Sequence, residues 1–520
     1  MILGRKYNRI FLPAYRFVPV IIFAKLLMKP SLPKISVILA LICVLSAISC
    51  KKDHLITDSS AKLDFSAKSV LYDTVFTTVG SVTKTFIVYN RNSQPIKISS
   101  IRLAGGTASN FRINVDGSKG VAFSDVEIEG KDSLFIFTEV TVDPNNQNNP
   151  LIIRDSVVFE TNGNVQDVDL EAWGQDAYFH TPDKVIIIKN IDSSITEIPY
   201  SILSCNAVWM NDKPHVVYGY LVVDGGCSLT INQGARVYMH PGSVLWVYKD
   251  GTLKVNGNIN QPVIFQGDRL EPAYSEGAGQ WGYIWLSPGS KNNVIDGAII
   301  KNGLVGILAD TVGNSPNPTL TMSNTIIKNM SVAALYGRGT FMKGWNCVFA
   351  NCAQYVAAFT LGGKYNFYHC TFANYWNKST RQFPVLLLNN YYKDENENII
   401  ARTLDSAYFY NCIMYGDLSS GDELKLDSST SASFSYKFHN CLLKTTLNTS
   451  GGKYQNVIVN SEPYFNDLGN NDYRIRNPLA LPAVIDKGDP AVSALYPDDL
   501  SGKSRFPNPP GDLGAYEYDP

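Results

Sequence analysis

Lys301 and Lys328 are the first residues of this 520-residue chain whose type and spacing suggest chemistry. Each stands fourth in a near-identical pentapeptide, Ala298-Ile-Ile-Lys-Asn302 and Thr325-Ile-Ile-Lys-Asn329. A lysine lining a face of the protein can serve as a base once desolvation weakens its hold on the proton. The competing reading is a solvated lysine on an outer strand face. His369 is a third candidate. It and His439 come shortly before Cys370 and Cys441, where other copies carry Asn324, Asn346 and Asn411, so a corner role competes with acid–base work. No catalytic residue is assigned beyond these candidates. Gly-x-Ser-x-Gly and His-Glu-x-x-His are absent. Ser501-Gly-Lys-Ser504 lacks the first glycine of a phosphate loop, Pro497 holding its place.

Metal chemistry has thinner support. Asp394-Glu-Asn-Glu-Asn398 resembles part of a calcium loop without the glycine its sharp turn requires, so a polar hairpin tip competes with Ca2+ binding. Asp467-Leu-Gly-Asn-Asn-Asp472 carries the same two readings. No metal site and no cofactor are expected. Beyond the leader and Cys50, seven cysteines remain, an odd number for a disulfide framework. Four of them, Cys347, Cys370, Cys412 and Cys441, occupy one repeat position and read as small buried hydrophobes. A bridge from Cys347 to Cys370 fits the spacing awkwardly, and the state of Cys205 and Cys227 stays open.

The elements that must position these residues form a ladder. Six rungs begin at Ala298, Thr325, Cys347, Cys370, Cys412 and Cys441, spaced 27, 22, 23, 42 and 29 residues apart. Position one is small, position three is large and apolar (Ile300, Ile327, Phe349, Phe372, Met414, Leu443), and position five is Asn or Gly in five rungs. Read with period two, positions one and three face inward and stack from coil to coil. Asn and Gly suit a left-handed corner. The simplest object with these properties is a parallel β-helix, a solenoid of successive coils. The 42-residue gap is either two coils or one coil with an insertion. Upstream runs such as Arg236-Val-Tyr-Met239, Val244-Leu-Trp-Val247 and Val263-Ile-Phe265 continue the pattern, giving about a dozen coils between roughly 178 and 460.

The amino terminus reads as a leader, residues 1–49, with Met28 a plausible true start. Ile35 to Ile48 carries no charge and follows Lys29 and Lys34, which suits a signal-peptide core. It ends Ala47-Ile-Ser-Cys50, which resembles a bacterial lipoprotein cleavage site. That resemblance makes Cys50 the lipidated first residue, residues 50–59 a linker, and the chain an envelope protein, expected at the outer membrane. An ordinary signal peptide, or a membrane helix over 10–27 interrupted by Pro13, Arg16, Pro19 and Lys25, are the alternatives.

Net charge is −1 without strong clustering, so no nucleic-acid partner is expected. Residues 60–177 contain no Cys and read as an antiparallel β-sandwich, with Val168, Leu170 and Ala172 alternating against acids and Asn162-Gly163 as a hairpin turn. Around Tyr72-Asp-Thr-Val-Phe76 and Ala172-Trp-Gly-Gln175 this region resembles the immunoglobulin-like modules of bacterial envelope proteins, which implies a spacer.

From about 461 to 520, Glu462-Pro-Tyr-Phe465, Ala483-Val-Ile-Asp-Lys-Gly488, Asp499-Leu-Ser-Gly-Lys-Ser-Arg505 and Asp512-Leu-Gly-Ala-Tyr-Glu517 occur in order. With Gln280-Trp-Gly-Tyr-Ile284, this ending resembles bacterial right-handed parallel β-helix surface proteins of the choice-of-anchor Q type. Over about residues 200–520 the resemblance implies a right-handed, pectate-lyase-like solenoid with a packed tail; with the immunoglobulin-like sandwich ahead of it, the chain is expected to be all-β. The resemblance implies export without one activity. Related solenoids include polysaccharide lyases and glycoside hydrolases, but their Asn-Thr-Asp, Gly-His-Gly and Arg-x-Pro-x-x-Arg patterns are absent from the repeats.

The functional expectation is a monomeric, membrane-anchored surface module that binds polysaccharide rather than an enzyme. The alternatives are a lyase or hydrolase acting in a groove, or a purely structural envelope part. Insertions of a solenoid tend to gather on its binding side. Tyr375, Trp376, Tyr391 and Tyr392 interrupt the ladder and are the candidate sugar-stacking rings; the competing reading has them cover the outward row Ile299, Ile326, Val348, Ile413 and Leu442.

Overall fold

A computed structural model describes residues 54–76, 80–141, 151–190, 194–310, 316–476, 482–506 and 510–519. The leader and Cys50 lie outside them. The described chain is almost entirely β, with one short α-helix, Pro490–Leu495, capped by Asp489, and two single-turn 3-10 helices, Gly106–Ala108 and Pro272–Tyr274.

The N-terminal unit is two five-stranded sheets around one apolar core that includes Tyr72, Phe86, Ile101, Phe111, Phe159 and Leu170. Strand Asn164–Gln175 buries Val168, Leu170 and Ala172 while Asp169 stays exposed, as its alternation dictates. Asn162 and Gly163 both have positive φ (52° and 77°), the pair a two-residue hairpin turn needs. The pairing is not purely antiparallel: Ser69–Phe76 runs parallel to Asn164–Gln175. These two strands are far apart in sequence, so no hairpin forces them to oppose.

From Tyr178 onward the chain coils. Three long sheets of eleven, ten and ten strands are each visited once per coil. Within the coil every sheet neighbour is parallel, except the opening hairpin Lys184–Lys189 with Ile195–Ile202. We call the eleven-stranded sheet the rung sheet, because Ala298–Lys301, Ile326–Met330, Val348–Cys352, Thr371–Asn374, Ile413–Gly416 and Leu442–Leu443 lie side by side in it. Phe265, Ile300, Ile327, Phe349, Phe372, Met414 and Leu443 pair in direct register and are all buried. Thr371 pairs directly with Ile413, so the long gap is one coil with an insertion. Val263–Gly267 and Arg236–Met239 are earlier strands of the same sheet. Val244–Val247 belongs to the second sheet and Thr252–Asn256 to the third.

Position one shows what Thr325 and the four rung cysteines share. Thr325 Oγ1 donates to the Ser323 carbonyl at 2.7 Å. The thiols of Cys347, Cys370, Cys412 and Cys441 donate to carbonyls of Trp345, Tyr368, Tyr410 and His439 at 3.1–3.4 Å. A small side chain with one donor fills the column and satisfies a buried carbonyl together. Burial holds the Cys370 and Cys441 thiols far above their ordinary range, and that of Cys352 up to about 12. All five are free and buried, so no Cys347–Cys370 bridge forms, while Cys205 and Cys227 are disulfide-bonded.

The left-handed corners are richer than the sequence suggests. Asn302, Asn329 and Asn351 at position five have positive φ, but so does the residue before each rung: Gly297, Asn324, Asn346, His369, Asn411 and Asn440. Asn440, rather than His439, holds the last of these. Asn374 and Gly416 at position five are not left-handed. Asn374 instead bonds the Cys352 N–H and C=O. Gly416 leaves room for the buried Glu423, whose carboxylate a Cβ there would strike.

Candidate functional site

The outer face of the rung sheet is clad by the C-terminal tail. Val348, Ala350, Ala373, Ile413, Tyr415 and Leu442 pack under Phe465, Tyr473, Ile475, Val484, Leu513 and Ala515. The outward row is thus covered mainly by the tail, not by the rings of the insertions. Both corner ladders hold this cladding. On one side Asn346 Nδ2 donates to the Asp498 carbonyl at 2.6 Å, the Asp489 N–H donates to Asn411 Oδ1 at 2.7 Å, and Asn440 Nδ2 donates to the Lys487 carbonyl at 2.7 Å. On the other, Tyr473 Oη donates to Asn351 Oδ1 at 3.0 Å. Arg505, fully buried, closes the tail through Glu517 and Asn346.

Lys301 and Lys328 do converge on an acid. Their ammonium groups lie 3.4 and 3.1 Å from the two oxygens of Glu276, which arrives on the loop before the first rungs. Asn329 and Asn471 also donate to that carboxylate, and Lys378 donates to the Glu276 carbonyl. Burial works to raise the Glu276 carboxyl, but Lys328 and Lys301 outweigh it and hold it below its ordinary value. Each lysine side chain is 17% exposed and already engaged. The cluster joins a loop, an insertion and the tail to the rung face. A base needs a free lone pair aimed at substrate, which this clamp does not offer.

His369 is completely buried, with Nε2 3.1 Å from Ser493 Oγ and 2.9 Å from Asn411 Nδ2. Burial, then Arg505, pushes its pKa well below the ordinary value, so it is neutral. Its left-handed backbone makes it a corner residue that docks the tail helix.

The four rings of the insertions lie at two different corners of the coil. Tyr375 sits half-buried against Phe465, and burial drives its hydroxyl pKa far up. Trp376 follows it, bonded to Ser379 at 2.7 Å. Arg381, bound to Glu423 and Asp417 at 2.6 Å each, pins this segment. Tyr391 and Tyr392 lie in a separate hairpin between the second and third sheets. Tyr391 donates to Asp427 at 3.0 Å, and Tyr392 is exposed. Asp394 accepts from the Asn396 and Asn398 N–H groups at 2.8 and 2.9 Å, which makes the acidic run a turn. Among the described residues no cluster of three or more metal-ligating side chains occurs.

Sequence reasoning missed the outer faces of the other two sheets. On the second, Trp246 and Trp285 pair in register and stack at 4.9 Å, and Trp285 Nε1 donates to Asp310 at 2.8 Å. On the third, Trp345, Tyr368, Tyr410 and His439 pair in register on consecutive coils. Tyr368 and Tyr410 stack at 5.4 Å, and Tyr496, just past the tail helix, lies 5.3 Å from Trp345 and 5.1 Å from Tyr368. The signal was in the sequence: a ring stands two residues before each rung cysteine, in Trp345-Asn-Cys347, Tyr368-His-Cys370, Tyr410-Asn-Cys412 and His439-Asn-Cys441. A cavity of about 590 Å³ lies on the N-terminal unit against Arg112, Asn114, Lys119 and Phe137, away from all of these.

No family model matches the chain, and no curated protein matches it. Among solved structures, it is similar to a family 123 glycoside hydrolase from Clostridium perfringens, with TM-score 0.17, 10% identity, 28% of this chain and 26% of that one. It is also similar to the periplasmic chaperone SfaE, with TM-score 0.16, 10% identity, 26% of this chain and 71% of that one. A PapD-like domain of human CEP192 aligns with TM-score 0.16 and 12% identity over 24% of this chain and 92% of that one. The chain spans about a quarter of the hydrolase it matches. At such TM-scores none of these likenesses bears on fold or activity.

Proposed function

We propose that this chain is an envelope lipoprotein that binds polysaccharide on the bare faces of a right-handed parallel β-helix. Cys50 carries the lipid at the outer membrane, an immunoglobulin-like unit serves as spacer, and the protein works as a monomer without cofactor. One observation carries the binding role: the rung sheet is clad throughout its later coils, while the other two sheets present aromatic rows in register. Repeated rings on a rigid scaffold offer preorganised contacts to a repeating polymer at low ordering cost. Tyr391 and Tyr392, at the corner between the bare sheets, extend that surface. The charged candidates Lys301, Lys328 and His369 serve the cladding, which favours binding over cleavage.

Incubating the purified full-length protein with a glycan panel tests this. Binding without chain shortening is the expected result. Shortened products favour the lyase or hydrolase reading, and neither binding nor cleavage leaves a structural role. Radiolabelled palmitate incorporated by the wild type and lost in Cys50→Ser tests the anchor.

A further inference from the structure

The outer row of the third sheet has a chemical character beyond aromaticity. Beside Trp345, Tyr368, Tyr410 and His439 runs a second outward column, Lys343, Asn366, Tyr408 and Lys437, in the same register. Lys343 Nζ lies 5.5, 5.9 and 6.0 Å from the ring centres of Trp345, Tyr368 and Tyr496, and Lys437 Nζ lies 5.8 Å from Tyr410. Neither lysine has a carboxylate partner among the described residues, unlike Lys364 beside them, which pairs with Asp405 at 3.7 Å. The acid at the edge of the strip, Asp489, faces His439 at 3.4 Å.

The rings cover one another. Trp345, Tyr496, Tyr368 and Tyr410 form a continuous stack with interplanar angles of 27°, 34° and 10°, so a sugar cannot lie flat between them. What the half-buried stack turns outward is its edge. The indole N–H of Trp345 and the hydroxyls of Tyr368, Tyr410 and Tyr496 are not among the buried polar atoms left without a partner, and among the described residues no hydrogen bond occupies them. Burial raises the pKa of all three hydroxyls, which therefore stay protonated and able to donate. The strip offers two unpaired ammonium groups and a file of donors, and asks for acceptors. Lys343 and Lys437 are three coils apart, about 14 Å at ~4.8 Å per coil.

We propose that this strip binds an acidic polysaccharide lengthwise, with carboxylate or sulfate groups on successive sugars meeting Lys343, the ring edges and Lys437. This rests on the polysaccharide reading above and narrows it to a polyanion. A neutral glycan would need open ring faces, which the stack withholds, and would leave both ammonium groups without a counter-charge.

The test uses purified full-length protein with four probes: polygalacturonate, chondroitin sulfate, neutral dextran and single-stranded DNA. At least one acidic polysaccharide should bind, more weakly as salt rises, and dextran should not. Polygalacturonate and chondroitin sulfate separate carboxylate from sulfate recognition. Lys343→Ala with Lys437→Ala should weaken that binding about tenfold or more, and Trp345→Ala should weaken it by disordering the stack. Lys364→Ala should change it less than about twofold, its charge being already engaged. Circular dichroism confirms that each variant folds. Dextran bound without the acidic polymers overturns this inference and spares the wider reading. Binding of none of the three glycans removes both. DNA bound as tightly as the acidic glycans, or binding unchanged in the double lysine variant, also overturns the proposal.

Discussion

The rung sheet and the third sheet are wound from the same coils, yet one is sealed and the other open. On the later rungs most outward residues, Val348, Ala350, Ala373, Ile413 and Leu442 beside Tyr415, are small or aliphatic, and a tail with matching apolar residues lies over them. On the later coils of the third sheet the outward residues are chiefly rings, lysines and an amide, and the tail touches them at the edge, through Tyr496 and Asp489. The difference teaches that a solenoid's inside is fixed by the coil, while its outside is assigned sheet by sheet. Outward composition decides which face becomes a second core and which stays available.

The largest effect that would break this contrast is at Arg505, which is fully buried and bound to Glu517 and Asn346. Arg505→Ala strands buried partners and should cost about 3–5 kcal/mol in chemical denaturation. A cost near zero would show that the tail is not integral. Next comes a matched pair of outward-row truncations. Leu442→Ala, under the tail, should cost about 2–5 kcal/mol, and Val294→Ala, 37% exposed on the third sheet, under about 1. Equal costs would erase the distinction between the faces.

Glu276→Gln should cost less, about 1 kcal/mol, because the carboxylate is only partly buried. Its pH dependence gives the sharper reading. The folded carboxyl sits below its ordinary value, so the clamp contributes fully above the carboxylate range and is lost as pH falls through the lowered value. The stability gap between wild type and Glu276→Gln should therefore close on acidification. A gap that widens would exclude the lysine clamp. The smallest effect is chemical. The buried thiols of Cys347, Cys352, Cys370, Cys412 and Cys441 should resist iodoacetamide in the folded protein and react after denaturation, as mass spectrometry would show.

The inward columns were legible in the sequence because burial repeats them: the position-three series from Ile300 to Leu443 needs no tertiary knowledge. The insertion after Cys370 was ambiguous only in count, and the Thr371–Ile413 pairing resolves it. What the sequence concealed depended on distant segments. Nothing local to Lys301 or Lys328 announces Glu276, and nothing local to Ile413 announces Leu513 or Ala515. The ring before each rung cysteine was visible as a pattern. Its meaning required knowing that these positions face outward on a sheet that stays bare.

The corner asparagines carry a further consequence. Asn346 is bonded to Asp498, and Glu276 to Asn471, across 152 and 195 residues of chain. A plain stack of repeats loses its end coils one at a time, since each touches only its neighbours. Here a single strap fastens early and late coils together, so fraying from the C-terminal end is suppressed and the rod should come apart as one body. The strap is made after the coils it covers. Until it emerges, the aliphatic stripe it protects stays wet, and the strapped coils cannot set before Ala515 has been delivered.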